Sequence, residues 1–192
     1  NPNETYVKVQ HEGYTYYMAE ALVSTVLKEN YTILETYKGK DLEYKEYEPL
    51  FNFVKPDKKC WYVTCDTYVT LSDGTGVVHI APAFGEDDAN VGRKYDLPFV
   101  QLVDSKGEMT EETLWPGVFC KKADKDILKN LEQNGLLFDA PLFEHNYPHC
   151  WRCDTPLIYY ARESWFIKMT AVKEDLIRNN NTINWIPKTI GK

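Results

Sequence analysis

The sequence predicts an α+β fold, a β-barrel-like core with peripheral helices, and three observations predict it. Short runs rich in β-branched and aromatic residues recur along the chain, punctuated by Gly, Pro, Asn and Asp. Three or four segments between them switch to a helical period. The composition is 43% hydrophobic and 14% aromatic, with 14 Tyr and 5 Trp, which supplies a core whose polar-tipped rings suit sheet surfaces and binding faces. There is no internal repeat and no low-complexity tract. Many short strands with few inserted helices point to a closed or nearly closed sheet.

Taken in order, residues 6–10 alternate and read as a strand, with residues 14–17 as the partner and Gly13 in the turn. From Met18 to Lys28 the period changes, placing Met18, Leu22, Val23, Val26 and Leu27 on one helical face, and Asn30 ends that helix. Residues 32–37 are β-rich. Residues 60–63, 68–71, 77–80 and 99–103 read as further strands, and 77–80 is apolar enough to be buried on both faces. Residues 86–95 read as a short helix, acidic at its start and basic at its end, in agreement with the helix dipole. Asp124 reads as an N-cap for a helix carrying Ile127, Leu128 and Leu131, with Gly135 just past its end. Residues 141–156 are irregular, 157–160 are strand-like, and a last helix spans about 170–179.

The bulk properties exclude several classes. The net charge of −7 is the wrong sign for a protein that relies on nonspecific attraction to phosphates. It leaves room for a module that contributes part of a larger surface. No apolar run approaches the ~18 residues of a membrane span, and the first residues lack the pattern of a secretion signal. Five cysteines with one recognised spacing do not form a secreted disulfide framework, so the expected compartment is the reducing cytoplasm. The missing initiator Met and the trailing end suggest a piece of a longer polypeptide.

The most constrained stretch is residues 74–88, GTGVVHIAPAFGEDD. Gly74-Thr75-Gly76 permits a tight turn and close approach to a ligand, and equally an ordinary hairpin turn. It is not GxGxxG, and the strand follows it, so a dinucleotide site is not expected. His79 stands in an apolar run, either as a core histidine or as part of a site. Pro82-Ala83-Phe84-Gly85 makes a sharp exit that can bring the next helix start back beside that run. Asp87 and Asp88 point in different directions. Each is an ordinary first-turn acid, or one of them faces a pocket and holds a cation through a charge-assisted hydrogen bond. Further on, Cys150-Trp-Arg-Cys153 is half of a tetrahedral zinc set. His145 and His149 are near enough in sequence to complete it. The pair also reads as two free thiols in a loop, or as a half-site whose partners lie elsewhere. No GxSxG elbow or thiol-protease order is present.

Residues 74–88 closely resemble the signature of the editing domain of the isoleucyl-tRNA synthetases, the connective insertion of the class I catalytic fold. The downstream stretch His145 to Tyr159 and the triplet Ser164-Trp165-Phe166 are similar to the segment where that family's chain returns toward the catalytic core. The resemblance covers essentially the whole chain. It implies an editing core over 1–140 and the C-terminal part of the insertion over 141–192. Valyl- and leucyl-type relatives usually differ at the positions of His79 and Phe84-Gly85.

The resemblance further implies roles. Asp88 anchors the substrate's α-ammonium, His79 lines the aminoacyl pocket, and Gly74, Thr75, Gly76, Ala83, Phe84 and Gly85 shape the substrate site. The implied reaction is water attack on the ester of valine misattached to isoleucine tRNA, with no cofactor. The implied partners are the tRNA 3′ end and the rest of the synthetase polypeptide, with no membrane. Zinc at Cys150 and Cys153 is implied only for a longer chain that supplies a second cysteine pair. ATP and magnesium belong to the synthetic domain, whose motifs this sequence lacks. The family's threonine-rich pocket wall is expected just before Asn1, so the chain alone is expected to hydrolyse little or nothing. Two other classes stay open: a non-catalytic module that binds an amino acid or a tRNA 3′ end, and a small zinc-ribbon interaction protein.

Overall fold

A computed structural model describes residues 1–142 and 144–191. The regular part of the fold is an antiparallel three-stranded sheet in the order β2-β1-β3. Its strands are β1 (Thr5–His11), β2 (Tyr14–Ala19) and β3 (Tyr31–Lys38). The β1–β2 hairpin pairs His11 with Tyr14, leaving Glu12 and Gly13 as its two-residue turn. Both have positive φ, +48° and +84°, the turn whose twist matches that of the flanking strands. The β1–β3 register slips between Lys8 and Val9, so Leu34 bulges between Ile33 and Glu35.

One face of β1 is buried at Val7 and Val9, the other only at Tyr6. Val7 and Val9 pack with Met18 of β2 and with Val23 and Leu27 of the short helix α1 (Val23–Leu27). Tyr6, on the other face of the strand, packs with Ala19, Leu22 and Leu42. The helical period read over 18–28 therefore begins late. Met18 and Ala19 are still β2, and a 3₁₀ turn over Glu20–Leu22 leads into α1.

The barrel expectation is corrected. The segments at 60–63, 68–71, 77–80 and 99–103 do not join the sheet; they contribute isolated bridges, Glu46 with Tyr62 and Val103 with Met109. A strand needs a second backbone alongside to satisfy its N–H and C=O groups. Among the described residues the sheet ends at β2 and β3. Val77 and Val78 are 54% and 46% exposed, the opposite of a strand buried on both faces.

Three longer helices follow: α2 (Glu86–Lys94), α3 (Cys120–Gln133) and α4 (Lys173–Asn180). Helix α3 begins at Cys120, a turn before Asp124, with no side-chain cap. Its end is as read: Gly135 has φ +66°, with its N–H bonded to the Glu132 carbonyl at 3.0 Å and the Leu136 N–H to the Leu131 carbonyl at 2.9 Å. That is the Schellman pattern. The chain separates into two compact units, Asn1–Tyr160 and Ala161–Lys192. The second contains α4 and exposes Trp165, Phe166 and Ile167. Among the described residues, no helix is long and apolar enough to cross a membrane.

Candidate functional site

The 74–88 stretch is held at two places. At its start, the Ala19 N–H at the end of β2 donates to the Thr75 carbonyl at 2.9 Å, and the Tyr6 hydroxyl donates to the Gly76 carbonyl at 2.7 Å. Gly76 has φ +73°, and a Cβ there would lie 2.6 Å from the Ala19 Cβ. Only glycine gives both this conformation and this close approach. The Thr75 hydroxyl turns back on its own loop, donating to the Val77 carbonyl at 3.3 Å.

At its end, Phe84 N–H bonds the Ala81 carbonyl at 2.9 Å, a tight turn that buries Ala83. Helix α2 starts immediately afterwards, with Gly85 at its N-cap position. Asp88 reaches back from the first turn, and its Oδ2 accepts the Ala81 N–H at 3.1 Å. Its Oδ1 accepts the Tyr68 hydroxyl at 3.3 Å. Asp87 is exposed and forms no side-chain hydrogen bond among the described residues. The two acids are thus geometrically different: Asp87 faces solvent, while Asp88 is half-buried and fixed through both oxygens.

Tyr68 reaches Asp88 because residues 62–68 run beside α2. At the far end of the helix the Tyr62 hydroxyl donates to the Tyr95 carbonyl at 3.2 Å, and the Cys65 N–H donates to the Tyr95 hydroxyl at 2.9 Å. Lys94 Nζ donates to the Cys65 carbonyl at 2.8 Å, and the Tyr95 hydroxyl donates to the Glu43 carboxylate. From Cys65 the chain runs three residues on to Tyr68, which lies in a turn. From Tyr95 back to Asp88 is seven residues along the helix, about 10 Å. A staple at one end of the helix therefore delivers Tyr68 to the other.

The surroundings of Tyr68 are anionic. Tyr68 is pushed up to about 12, first by burial, then by the charge of Asp88 and its hydrogen bond, with Asp87 and Asp66 adding to it. The hydroxyl therefore stays protonated and donating at neutral pH.

His79 is not brought into this cluster. It is exposed and makes no hydrogen bond among the described residues. Gly74 is also exposed, at φ +67°, with nothing near its Cα that a methyl would strike. Two shallow depressions, of about 430 and 490 Å³, lie along α3 and α4 and include no residue of 74–88. The residue that sequence reasoning missed is Tyr68. Its contact with Asp88 spans 20 positions and leaves no local pattern.

Cys150 and Cys153 share a tight hairpin. The Cys150 N–H donates to the Thr155 carbonyl and the Asp154 N–H to the Cys150 carbonyl, both at 2.9 Å, and Asp154 has φ +56°. Cys153 Sγ lies 3.1 Å from the Thr155 hydroxyl, which with further hydrogen bonds holds its thiol below the ordinary range. His149 Nδ1 is engaged with the Tyr147 carbonyl at 3.0 Å, and His145 Nδ1 with the Asn146 carbonyl at 3.1 Å. Among the described residues no group of three or more His, Cys, Asp or Glu is placed to hold a metal. Two thiols in a hairpin do not by themselves make a tetrahedral zinc site.

Comparison with known proteins places this geometry in a family. The chain belongs to the class I tRNA synthetases (I, L, M and V), whose family matches residues 3–192. Within that class it is similar to the isoleucine–tRNA ligase of Clostridium acetobutylicum, 51% identical over 186 residues, covering 96% of this chain and 18% of that protein. The isoleucine–tRNA ligase of Clostridium novyi is 50% identical with the same coverage. That of Bacillus thuringiensis (strain Al Hakam) is 45% identical over 188 residues, 97% of this chain and 18% of that protein. The chain thus spans less than a fifth of the length of the relatives it matches.

Proposed function

We propose that this chain is the editing segment of an isoleucyl-type class I synthetase, and that within the full-length enzyme it forms part of the site that hydrolyses the ester of valine misattached to isoleucine tRNA. The observation that carries the reading is Asp88, half-buried, fixed by the Ala81 N–H and the Tyr68 hydroxyl, and set among further carboxylates. A carboxylate so fixed suits the α-ammonium of an aminoacyl ester. Isoleucine against valine is the standard worked case of a discrimination too small for one binding site, which a second hydrolytic site resolves.

In this mechanism Asp88 pairs with the ammonium and fixes the ester relative to the turn at 81–85. Water adds to the ester carbonyl, the tetrahedral adduct collapses, and the terminal ribose hydroxyl leaves with a proton. No side chain forms a covalent intermediate, so positioning supplies the rate. His79, exposed here, faces the amino acid side chain in a pocket that the rest of the synthetase polypeptide completes. The partners are that polypeptide and the charged tRNA 3′ end, the compartment is the cytoplasm, and ATP and magnesium serve the synthetic site outside this segment. A second cysteine pair from the longer chain would complete a zinc site with Cys150 and Cys153, where the metal would be structural.

Deacylation of Val-tRNA by the full-length synthetase tests the reading. Asp88→Ala should slow it by roughly a hundredfold, as loss of a charge-assisted contact made in a water-poor site. Undiminished hydrolysis would remove Asp88 from the site.

A further inference from the structure

We propose that Tyr68 is a positioning residue for editing: its hydroxyl holds the Asp88 carboxylate in the orientation that receives the substrate's ammonium. This rests on the proposed role of Asp88. A carboxylate offers about four acceptor positions. The Ala81 N–H takes one on Oδ2 and the Tyr68 hydroxyl one on Oδ1, at 3.1 and 3.3 Å. One position on each oxygen is left, a matched pair of acceptors for a group with several N–H donors. The Ala81 contact alone would leave Oδ1 free to swing about the terminal bond. The Tyr68 contact removes that freedom.

Tyr68 is itself held. The Cys65–Tyr95 hydrogen bonds, the Lys94 contact and the Tyr62 hydroxyl tie residues 62–68 to the end of α2. The segment cannot slide along the helix without breaking them. A tyrosine hydroxyl is protonated throughout the physiological range, so it remains a donor there, and burial and the neighbouring carboxylates extend that range upward. Tyr68 touches neither ester nor water in this account. It acts through Asp88.

A double-mutant cycle in the full-length synthetase tests the proposal, with KM and kcat for Val-tRNA deacylation and the thermal midpoint measured for each variant. Tyr68→Phe keeps the ring and removes the hydroxyl. It should raise KM roughly three- to tenfold, the scale of one hydrogen bond, leave kcat nearly unchanged and leave the midpoint close to that of the parent. In the Asp88→Ala background the same substitution should change nothing further. Effects that multiply in the double variant, or a Tyr68→Phe enzyme that matches the parent while Asp88→Ala is impaired, overturn the role of Tyr68 and leave that of Asp88 standing. An Asp88→Ala enzyme with full deacylation overturns both.

Discussion

The Ala81 amide donates to Asp88 Oδ2 at 3.1 Å and so closes residues 81–88 into a ring that contains the whole turn into α2. Gly85 sits inside that ring. A Cβ on it would lie 2.9 Å from Asp88 Oδ2 and 3.0 Å from the carboxyl carbon. Its backbone is extended, φ −157°, so the restriction is one of space alone. Gly85→Ala is therefore expected to push the carboxylate off the Ala81 N–H while leaving α2 intact. Loss of that hydrogen bond should cost about 1 kcal/mol of stability, and deacylation should fall further than stability does. Thermal unfolding and Val-tRNA hydrolysis measured side by side check this, and a Gly85→Ala protein with full hydrolysis would show that the ring is not needed.

Gly74 and Gly76 look equivalent in the sequence but are not equivalent in the fold. Both have positive φ, +67° and +73°. A methyl on Gly74 meets nothing, whereas one on Gly76 meets Ala19 at 2.6 Å and Leu71 at 3.0 Å. Gly74→Ala should cost about 1 kcal/mol, the backbone penalty alone. Gly76→Ala should cost roughly 2–4 kcal/mol, because the loop must also leave β2 and break the Tyr6 contact to the Gly76 carbonyl. Denaturant midpoints of the two variants compare them directly, and equal losses would contradict the packing argument.

Much of this was legible in the sequence, and where it was not there is a physical reason. The hairpin of β1 and β2 follows from alternation around Gly13, and α2 from Glu86-Asp87-Asp88 at one end and Arg93-Lys94 at the other. Gly135 marks the end of α3 because few other residues adopt its conformation. The start of α3 was misread because Asp124 has the chemistry of a cap, yet lies inside a helix that begins at Cys120 without one. The barrel was misread because residues such as Val77 and Val78 have strand composition, and composition does not supply a partner strand. At the site, the resemblance singled out Asp88 over Asp87, and the fold distinguishes the same two by burial. Tyr68 was invisible because it depends on how 62–68 is registered against α2.

The cysteines should differ in reactivity. The Cys153 thiol is exposed and lowered by hydrogen bonds from Thr155, so a larger share is thiolate at neutral pH. Burial pushes the Cys60 and Cys65 thiols up, and Cys65 is only 6% exposed. Brief treatment with iodoacetamide followed by peptide mass analysis should find Cys153 alkylated well before Cys60, with Cys65 modified only on unfolding. Faster labelling of Cys65 would mean that the packing against Gly39, whose carbonyl lies 3.5 Å from its sulfur, is not maintained.

Tyr68 also makes a prediction about alkaline stability. Its ordinary value of 10.0 is pushed up to about 12 in the folded chain, by burial first and Asp88 second. Tyr37 is raised to about 12 by its bond to Glu35, and Tyr95 is raised by burial and Glu43. Below pH ~10 these phenols are protonated in both states, and the contribution is fully present. Between pH ~10 and ~12 the unfolded chain has lost protons that the folded chain retains, so each unit of rising pH favours unfolding. Stability should therefore decline across that window. Tyr68→Phe should make the decline shallower without abolishing it, since Tyr37 and Tyr95 remain. Urea midpoints measured at several pH values above neutrality would show this. A decline as steep in Tyr68→Phe as in the parent would mean that the Tyr68 hydroxyl is not held beside Asp88.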